Sequence, residues 1–439
     1  MDALSQRIAA VCEVLAPLPG TGWLVGGGLR DLILDRTVTD VDVAFDGDAR
    51  AAARALAAGH SAGCYELSPS FGAWRVQGGD LTFTIDLTPL QGASITEDLL
   101  RRDLTVNALA LPIGASCPEG LLDVTGGLDD LAAGRVRMVS STAFSSDSVR
   151  LLRLVRQTTQ LGFRIDELTI DQARRDATRL WESAGERVFD EVVRMISTPH
   201  PVDALHLCDQ LGLLEVLCGA PVDVGDTAVN SRLVRTDVLW ALLRKLGESF
   251  PDDTESIEGL LDAPLADGVD RRGALILATL WDGSPEGRSG VEAWCRRLRT
   301  SVRLRDHLVH IVAGASLPRD VGEAWSPSRR YRFLSAVAPV AVEVVLLGVA
   351  GAPASERDRT IAWARGILAT LTGLEGRAGE PPVIAGDQLA REMGLTPGPW
   401  LREALERVRE AQMMEGLSTP NEAIALVRTF LRKVRTDPE

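Results

Sequence analysis

The chain has 439 residues, 45% of them hydrophobic and 25% charged, with a formal net charge of −14. This composition excludes a disordered or fibrous chain and is enough for roughly two to four domains with real cores. The acidic balance argues against nucleic acid on its face, but phosphate contacts depend on local clusters of cations rather than on the total.

The start, Met1-Asp2-Ala3-Leu4-Ser5-Gln6, lacks the basic and apolar regions of a signal peptide. The longest apolar run, Ala336 to Ala354, contains Pro339 and Glu343 and reads as a buried helix rather than a membrane span. Cys12, Cys64, Cys117, Cys208, Cys218 and Cys295 form no CxxC pair, so neither a disulfide framework nor a zinc knuckle is indicated, and a reducing cytoplasm fits best.

Residues 1–20 read as an amphipathic helix. A strand at Thr21–Val25, a helix at Leu29–Asp35 and a strand at Thr39–Phe45 follow. The stretch Leu24-Val25-Gly26-Gly27-Gly28-Leu29-Arg30-Asp31 is a strand, a glycine turn and a helix start, and Asp40-Val41-Asp42 follows closely. Residues two apart in a strand share a face, so Asp40 and Asp42 project together while Val41, Val43 and Phe45 cover the other side. Two carboxylates beside a glycine turn at a helix N-terminus suit Mg²⁺ and phosphates. Either half alone is more often a tight connection or a solvated face.

Asp48–Ala58 is helical, and strands lie around Phe71–Gln77 and Leu81–Leu87. In the latter, Asp86 falls on the polar face, either as a third carboxylate with Asp40 and Asp42 or as part of a solvated strand face.

Two denser stretches follow. In Thr96-Glu97-Asp98-Leu99-Leu100-Arg101-Arg102-Asp103-Leu104-Thr105-Val106-Asn107-Ala108, Thr96 is the expected cap of a helix with an acidic first turn and paired arginines. Asn107 lies on the way into an apolar strand. From about Arg135 onward helical periodicity dominates. In Asp147-Ser148-Val149-Arg150-Leu151-Leu152-Arg153-Leu154-Val155-Arg156, helical neighbours three apart form a row that winds round the helix. Asp147 and Arg150 then offer an acceptor and a donor fork to a base edge, while Arg153 and Arg156 serve phosphate, ribose or structure. A salt-bridged helix face is the simpler reading of this helix alone.

These stretches together resemble the class II tRNA nucleotidyltransferase and bacterial poly(A) polymerase family. GGxVRD…DxD appears as Gly26-Gly27-Gly28-Leu29-Arg30-Asp31…Asp40-Val41-Asp42, and RRDFTxNA as Arg101-Arg102-Asp103-Leu104-Thr105-Val106-Asn107-Ala108. DPxGGxxDL appears as Asp123-Val124-Thr125-Gly126-Gly127-Leu128-Asp129-Asp130-Leu131, and EDxxRxxRxxRF runs from Ser146 through Asp147, Arg150, Arg153 and Arg156 to Gln157. Gly386-Asp387-Gln388-Leu389, Pro397-Gly398-Pro399, Ala411-Gln412 and Glu415-Gly416 echo the family's C-terminal helices.

The resemblance implies template-independent addition of nucleotides to the 3′ end of tRNA, with CTP and ATP as substrates, no membrane, and Mg²⁺ held by Asp40 and Asp42. It puts Gly27, Arg30, Arg102 and Asn107 at the nucleotide, makes Asp147 and Arg150 the base-reading pair, and lets Arg153 and Arg156 complete that wall. The expected fold is α+β: a small mixed-sheet nucleotidyltransferase head (1–135), then an all-helical neck (136–200), body (201–375) and RNA-binding tail (376–439).

Several positions depart from the family pattern. Ser146, Ser148 and Gln157 replace the usual Glu, Pro and aromatic residue. The segment Leu87–Thr96 is short where full CCA-adding members carry a longer loop, as in enzymes that add only the two cytidines. In the body, Trp281 and Arg235 stand where an HD phosphohydrolase would show histidines, so the body reads as a degenerate HD domain. His307 and His310 have a metal-binding spacing but read more simply as solvated. The rival readings are a poly(A) polymerase, against which Asp46-Gly47-Asp48 stands in place of a basic run, and a catalytically silent RNA-binding protein.

Overall fold

The computed structural model describes residues 3–68, 72–115, 120–219, 232–315, 325–377 and 379–436. The chain divides into two compact units, Met1–Leu217 and Cys218–Glu439.

The first unit opens with α1 (Ala3–Val14), β1 (Thr21–Val25), α2 (Gly26–Ile33), β2 (Asp40–Asp46), α3 (Ala49–Gly59), β3 (Gly63–Ser68), β4 (Ala73–Gln77) and β5 (Thr84–Pro89). It continues with α4 (Ile95–Leu100), β6 (Leu109–Pro112), β7 (Leu122–Asp123), α5 (Gly127–Ala132) and β8 (Arg135–Val136). Then come α6 (Ala143–Ser146), α7 (Arg150–Leu161), β9 (Arg164–Ile165), α8 (Glu167–Asp176), α9 (Gly185–Ile196), α10 (Pro201–Gln210) and α11 (Leu213–Cys218).

A seven-stranded sheet runs in the order β3-β4-β5-β2-β1-β6-β7. Only the β2–β5 pair is parallel, because α3, β3 and β4 form the crossover between them. β2 is therefore central, and its register places Asp42 beside Val25 on one side and Asp86 on the other. The mixed sheet and helical remainder bear out the α+β expectation. Val41 and Val43 are buried on the far face of β2, and Val25, Ala44, Leu99, Ala108 and Ala110 form a small apolar core.

Local expectations shift where hydrogen bonding outbids pattern. β5 starts at Thr84 rather than Leu81, since the Leu81 amide is drawn into a turn on the Gly78 carbonyl (3.2 Å). Phe71 and Cys117 lie outside the described residues. Ser94, not Thr96, caps α4: its hydroxyl accepts from the Glu97 amide at 3.3 Å. The helix ends at Leu100, so Arg101 and Arg102 follow it instead of riding on it. Asp147 is extended (φ −157°, ψ 100°) between α6 and α7, not on the helix of Arg150.

The residues from 201 to 217, expected in the body, pack in the first unit. Leu205, Cys208, Leu211 and Leu213 are buried there, with Cys208 Sγ 3.9 Å from Met195 Sδ on α9. An apolar helix face buries against whichever surface completes it, and here α7 and α9 provide that surface.

The second unit is almost entirely helical. Its helix Ala341–Ala350 is buried at every residue, as the interrupted apolar run predicts. Among the described residues no single helix is long and apolar enough to cross a membrane. The helix pair Pro327–Val337 and Ala341–Ala350 passes by length and composition together but is bent by 104°.

In the body, Trp281 packs edge-on against Trp294 at 5.4 Å between ring centres. Arg235 donates twice to the Thr279 carbonyl (3.0 and 2.8 Å). Trp281 and Arg235 are thus both tied into the packing of the helical body. His307 is not solvated: its ring is only 9% exposed and its Nε2 lies 3.1 Å from Glu343 Oε1. His310 Nδ1 bonds the Asp306 carbonyl at 2.6 Å. Among the described residues no three or more His, Cys, Asp or Glu side chains gather as a metal cage. The helices Gly386–Met393, Pro399–Glu415 and Pro420–Thr436 share a core of Leu389, Ala404, Val408, Ala423 and Val427.

Candidate active site

A polar cleft of about 1450 Å³ opens in the first unit over β2 at the centre of the sheet. It is lined by Gly26, Gly27, Asp40, Asp42, Arg75, Arg102, Asn107, Asp147, Arg150, Arg153, Arg156 and Arg187, among others. Most of the residues singled out in the sequence therefore converge on one cavity. Arg30 and Asp86 do not line it.

The glycines work by close approach. Gly26 is the first residue of α2 at φ +71°, and a Cβ there would meet Asp42 Oδ2 at 2.6 Å. A Cβ on Gly28 would meet the Asp40 carbonyl at 2.7 Å, whereas one on Gly27 would find nothing nearer than Arg30 at 3.5 Å. The run lets α2 start hard against β2. No side chain caps α2, so its first amides stay available where Gly26 and Gly27 face the cleft. Gly26→Ala is expected to cut turnover about a hundredfold by displacing Asp42 about an ångström, while Gly27→Ala costs threefold or less. Steady-state kcat of the two variants checks this, and equal losses would refute the packing argument.

The two β2 carboxylates differ. Asp40 is exposed and is held by the Thr84 and Thr39 hydroxyls, the latter at 3.0 Å. The Asp42 carboxylate accepts no hydrogen bond among the described residues, and burial pushes its pKa up, with Arg102 and Arg153 pulling the other way. A half-buried carboxylate without a donor is costly unless a cation joins it. The pair therefore fits a hard divalent cation that takes its remaining ligands from triphosphate oxygens and water.

The arginines divide in two. Arg30 is 6% exposed and fully committed: a fork to Asp31 (both contacts 2.9 Å), with Nη1 shared by Asn107 Oδ1 (2.7 Å) and Gln157 Oε1 (2.6 Å). Expected at the nucleotide, it is buried here and braces Asn107 and Gln157. Gln157, standing where the family shows an aromatic residue, supplies one of its acceptors. Arg102 donates to Asp98 at 2.9 Å and leans toward Asp42.

Arg150 donates to the Arg101 carbonyl (2.8 Å) and the Arg102 carbonyl (3.4 Å), which fixes its fork at the mouth of the cleft. Arg153 is paired with Asp103 at 2.7 Å, which raises its pKa. That pair holds Asp103 well below the usual carboxylate range although burial opposes ionisation. Arg156 is paired with Glu191 at 2.7 Å. Both arginines line the cleft, yet structure claims their guanidinium groups.

Two residues escaped the sequence reading. Arg187 on α9 makes a two-pronged contact with Asp147 (3.1 and 2.8 Å), which compensates for Arg150 lying 3.9 Å away. Arg75 on β4 forks onto Asp86, 2.7 Å to each oxygen. Nothing near Arg187 in the sequence marks it. The alternation of β4 would have placed Arg75 on the face of Asp86 had the strand pairing been known.

A nucleotidyltransferase site is what this sheet, glycine turn and carboxylate pair define. The poly A polymerase head domain model matches residues 22–137, and the model described as a probable RNA and SrmB-binding site of polymerase A matches residues 162–220. A CC-adding tRNA nucleotidyltransferase of Geobacter sulfurreducens is 30% identical over 442 residues, covering 100% of this chain and 98% of that protein. An A-adding tRNA nucleotidyltransferase of Deinococcus radiodurans is also 30% identical, over 95% of this chain and 97% of its own. A solved CCA-adding enzyme with CTP shares the fold, with a TM-score of 0.73 at 19% identity over 97% of this chain and 98% of that one. The chain belongs to the class II tRNA nucleotidyltransferase (CCA-adding enzyme) family, an enzyme family that generally uses divalent metals.

Proposed function

We propose that this enzyme adds CMP to the 3′ end of tRNA as a CC-adding nucleotidyltransferase working with Mg²⁺ in the cytoplasm. Addition at the tRNA 3′ end follows from the family; the restriction to cytidine rests on one observation. The segment between β5 and α4 is short and pinned: the Gln91 amide donates to Asp98 (3.1 Å), the Ala93 amide to Glu97 (3.0 Å), and Gln91 Nε2 to the Pro89 carbonyl (3.0 Å). A segment tied this way has little freedom to remodel the pocket from a pyrimidine to a purine.

Asp40 and Asp42 would hold Mg²⁺, which when bound activates the RNA 3′-hydroxyl and steadies the leaving pyrophosphate. Gly26 and Gly27 at the start of α2 receive the triphosphate. Arg102 reinforces the positive side of the cleft, and Asn107 lines it beside Arg30. Asp147 and Arg150 present an acceptor and a donor to the base edge, Asp147 oriented by Arg187 and Arg150 by the Arg101 and Arg102 carbonyls. Arg153 and Arg156 form the wall behind them. In this reading the head and neck act from the first unit, and the arginine-bearing helices of the tail (376–439) bind RNA.

Purified protein with Mg²⁺ and single labelled nucleotides, on tRNA transcripts lacking CCA, ending in C and ending in CC, tests this. Two C additions and no A are expected. Two C followed by one A would make it a full CCA enzyme, A alone on the CC transcript an A-adding enzyme, and long A tracts on any RNA a poly(A) polymerase. Silence with every nucleotide would favour an RNA-binding role.

A further inference from the structure

Arg75, Asp86 and Asp42 are lateral partners across β4, β5 and β2, so they lie in one row on one face of the sheet. Residues directly opposite on neighbouring strands interact, and two like charges there are unfavourable unless a counter-charge stands beside them. Arg75 is that counter-charge. Its Nε and Nη2 take both oxygens of Asp86 at 2.7 Å, and Nη2 also lies 3.7 Å from Asp40 Oδ1. The guanidinium is about a quarter exposed and lines the cleft, while Asp86 does not. A third carboxylate is therefore present in the row but claimed, and a fixed cation flanks the two that remain.

We propose that Arg75 is a resident cation of the carboxylate site. It keeps Asp86 out of the ligand set and weakens the Asp40–Asp42 pair for a free divalent ion, so that the ion enters as its complex with a nucleoside triphosphate. The physical reason is charge balance. A bare divalent cation is repelled by a guanidinium a few ångströms away, whereas a metal–triphosphate complex carries net negative charge and is attracted by it. The proposal rests on the reading of Asp40 and Asp42 as metal-holding residues. It makes Arg75 a positioning residue whose effect is read in ion binding as well as in turnover.

The test is Mn²⁺ binding to the full chain without nucleotide, measured by electron paramagnetic resonance or calorimetry. Arg75→Gln, which keeps a donor for Asp86 but loses the charge, is expected to bind Mn²⁺ about tenfold tighter than the parent, the order expected for one like charge removed from a half-solvated site, and Arg75→Ala tighter still. The further gain of Arg75→Ala over Arg75→Gln, from releasing Asp86, should vanish in the Arg75→Ala/Asp86→Asn double variant. Asp86→Asn alone should change Mn²⁺ affinity less than threefold.

Unchanged or weaker binding in both Arg75 variants overturns the proposal. So does a tenfold or greater loss in Asp86→Asn alone, because Asp86 would then be a ligand despite Arg75. The Asp40→Ala/Asp42→Ala control separates the two levels. Mn²⁺ bound undiminished there sinks the metal-site reading itself, while its loss there leaves the Arg75 variants to decide this proposal alone.

Discussion

Asp42→Asn is expected to lower single-turnover nucleotide incorporation by about a thousandfold or more, with no loss of thermal stability. The rate effect follows from removing one of the two β2 carboxylates that would meet the cation, while Asp86, beside them, is occupied by Arg75. A thousandfold is about 4 kcal/mol of barrier, which is what loss of a metal's charge stabilisation costs.

The stability half follows from burial. Asp42 has a raised pKa and no hydrogen-bond donor among the described residues, so its ionised form opposes folding at neutral pH. A group of this kind contributes stability while protonated, and that contribution is lost as pH rises through its folded pKa. Asparagine removes the charge at nearly constant shape, so Tm should hold or rise, the usual trade between a strained site and stability. Incorporation of labelled CTP and a thermal melt on the same preparation check both halves. Retained activity would move the chemistry elsewhere, and a fall in Tm of several degrees would make Asp42 a structural residue.

Glu343→Gln is expected to be the most damaging change in the second unit. Glu343 is fully buried, accepts two bonds from Arg271 (2.6 and 2.9 Å), and has His307 Nε2 at 3.1 Å. Arg271 also donates to the Pro339 carbonyl at 3.0 Å, so the cluster ties the helix Arg271–Ala278 to the start of the helix Ala341–Ala350. Burial opposes ionisation of Glu343, but the bonds from His307 and Arg271 prevail and hold its pKa below the usual carboxylate value.

Breaking such a pair from one side leaves a buried cation uncompensated and costs about 3–5 kcal/mol. That is a fall in Tm of about 10 °C for a unit of this size. Because the folded pKa is depressed, this stabilisation is present above the ordinary carboxylate pKa and is lost as pH falls through the depressed value. The gap between parent and variant should thus be widest near neutrality and close in acid. Denaturation curves at pH 7 and in acid well below the ordinary carboxylate pKa measure it. A gap independent of pH would show that packing, not the ion pair, accounts for the loss.

Much of the chemistry was legible because it is local. The glycine run before α2, the period-two placement of Asp40 and Asp42 and the buried helix around Glu343 each depend on a few consecutive residues. Backbone sterics and solvent dictate such features wherever the chain is placed. The α+β order is likewise written in the change from strand alternation to helical periodicity near Arg135.

Tertiary structure decided which polar groups are free. Arg30, Arg153, Arg156 and Asp86 carry the right chemistry in the sequence, but Asp31 with Asn107 and Gln157, Asp103, Glu191 and Arg75 claim them. Their partners are mostly tens of residues distant in the chain, so no local pattern reports the pairing. The pairing of β4 with β5 and of β5 with β2 brings Arg75 to the carboxylates, and the packing of α9 brings Arg187 to Asp147. A buried counter-charge that reaches a charged side chain fixes how much of it stays open to a substrate. Sequence spacing determined which groups this protein has at its site, and the long-range contacts of the sheet and the neck helices decided which of them remain open to a substrate.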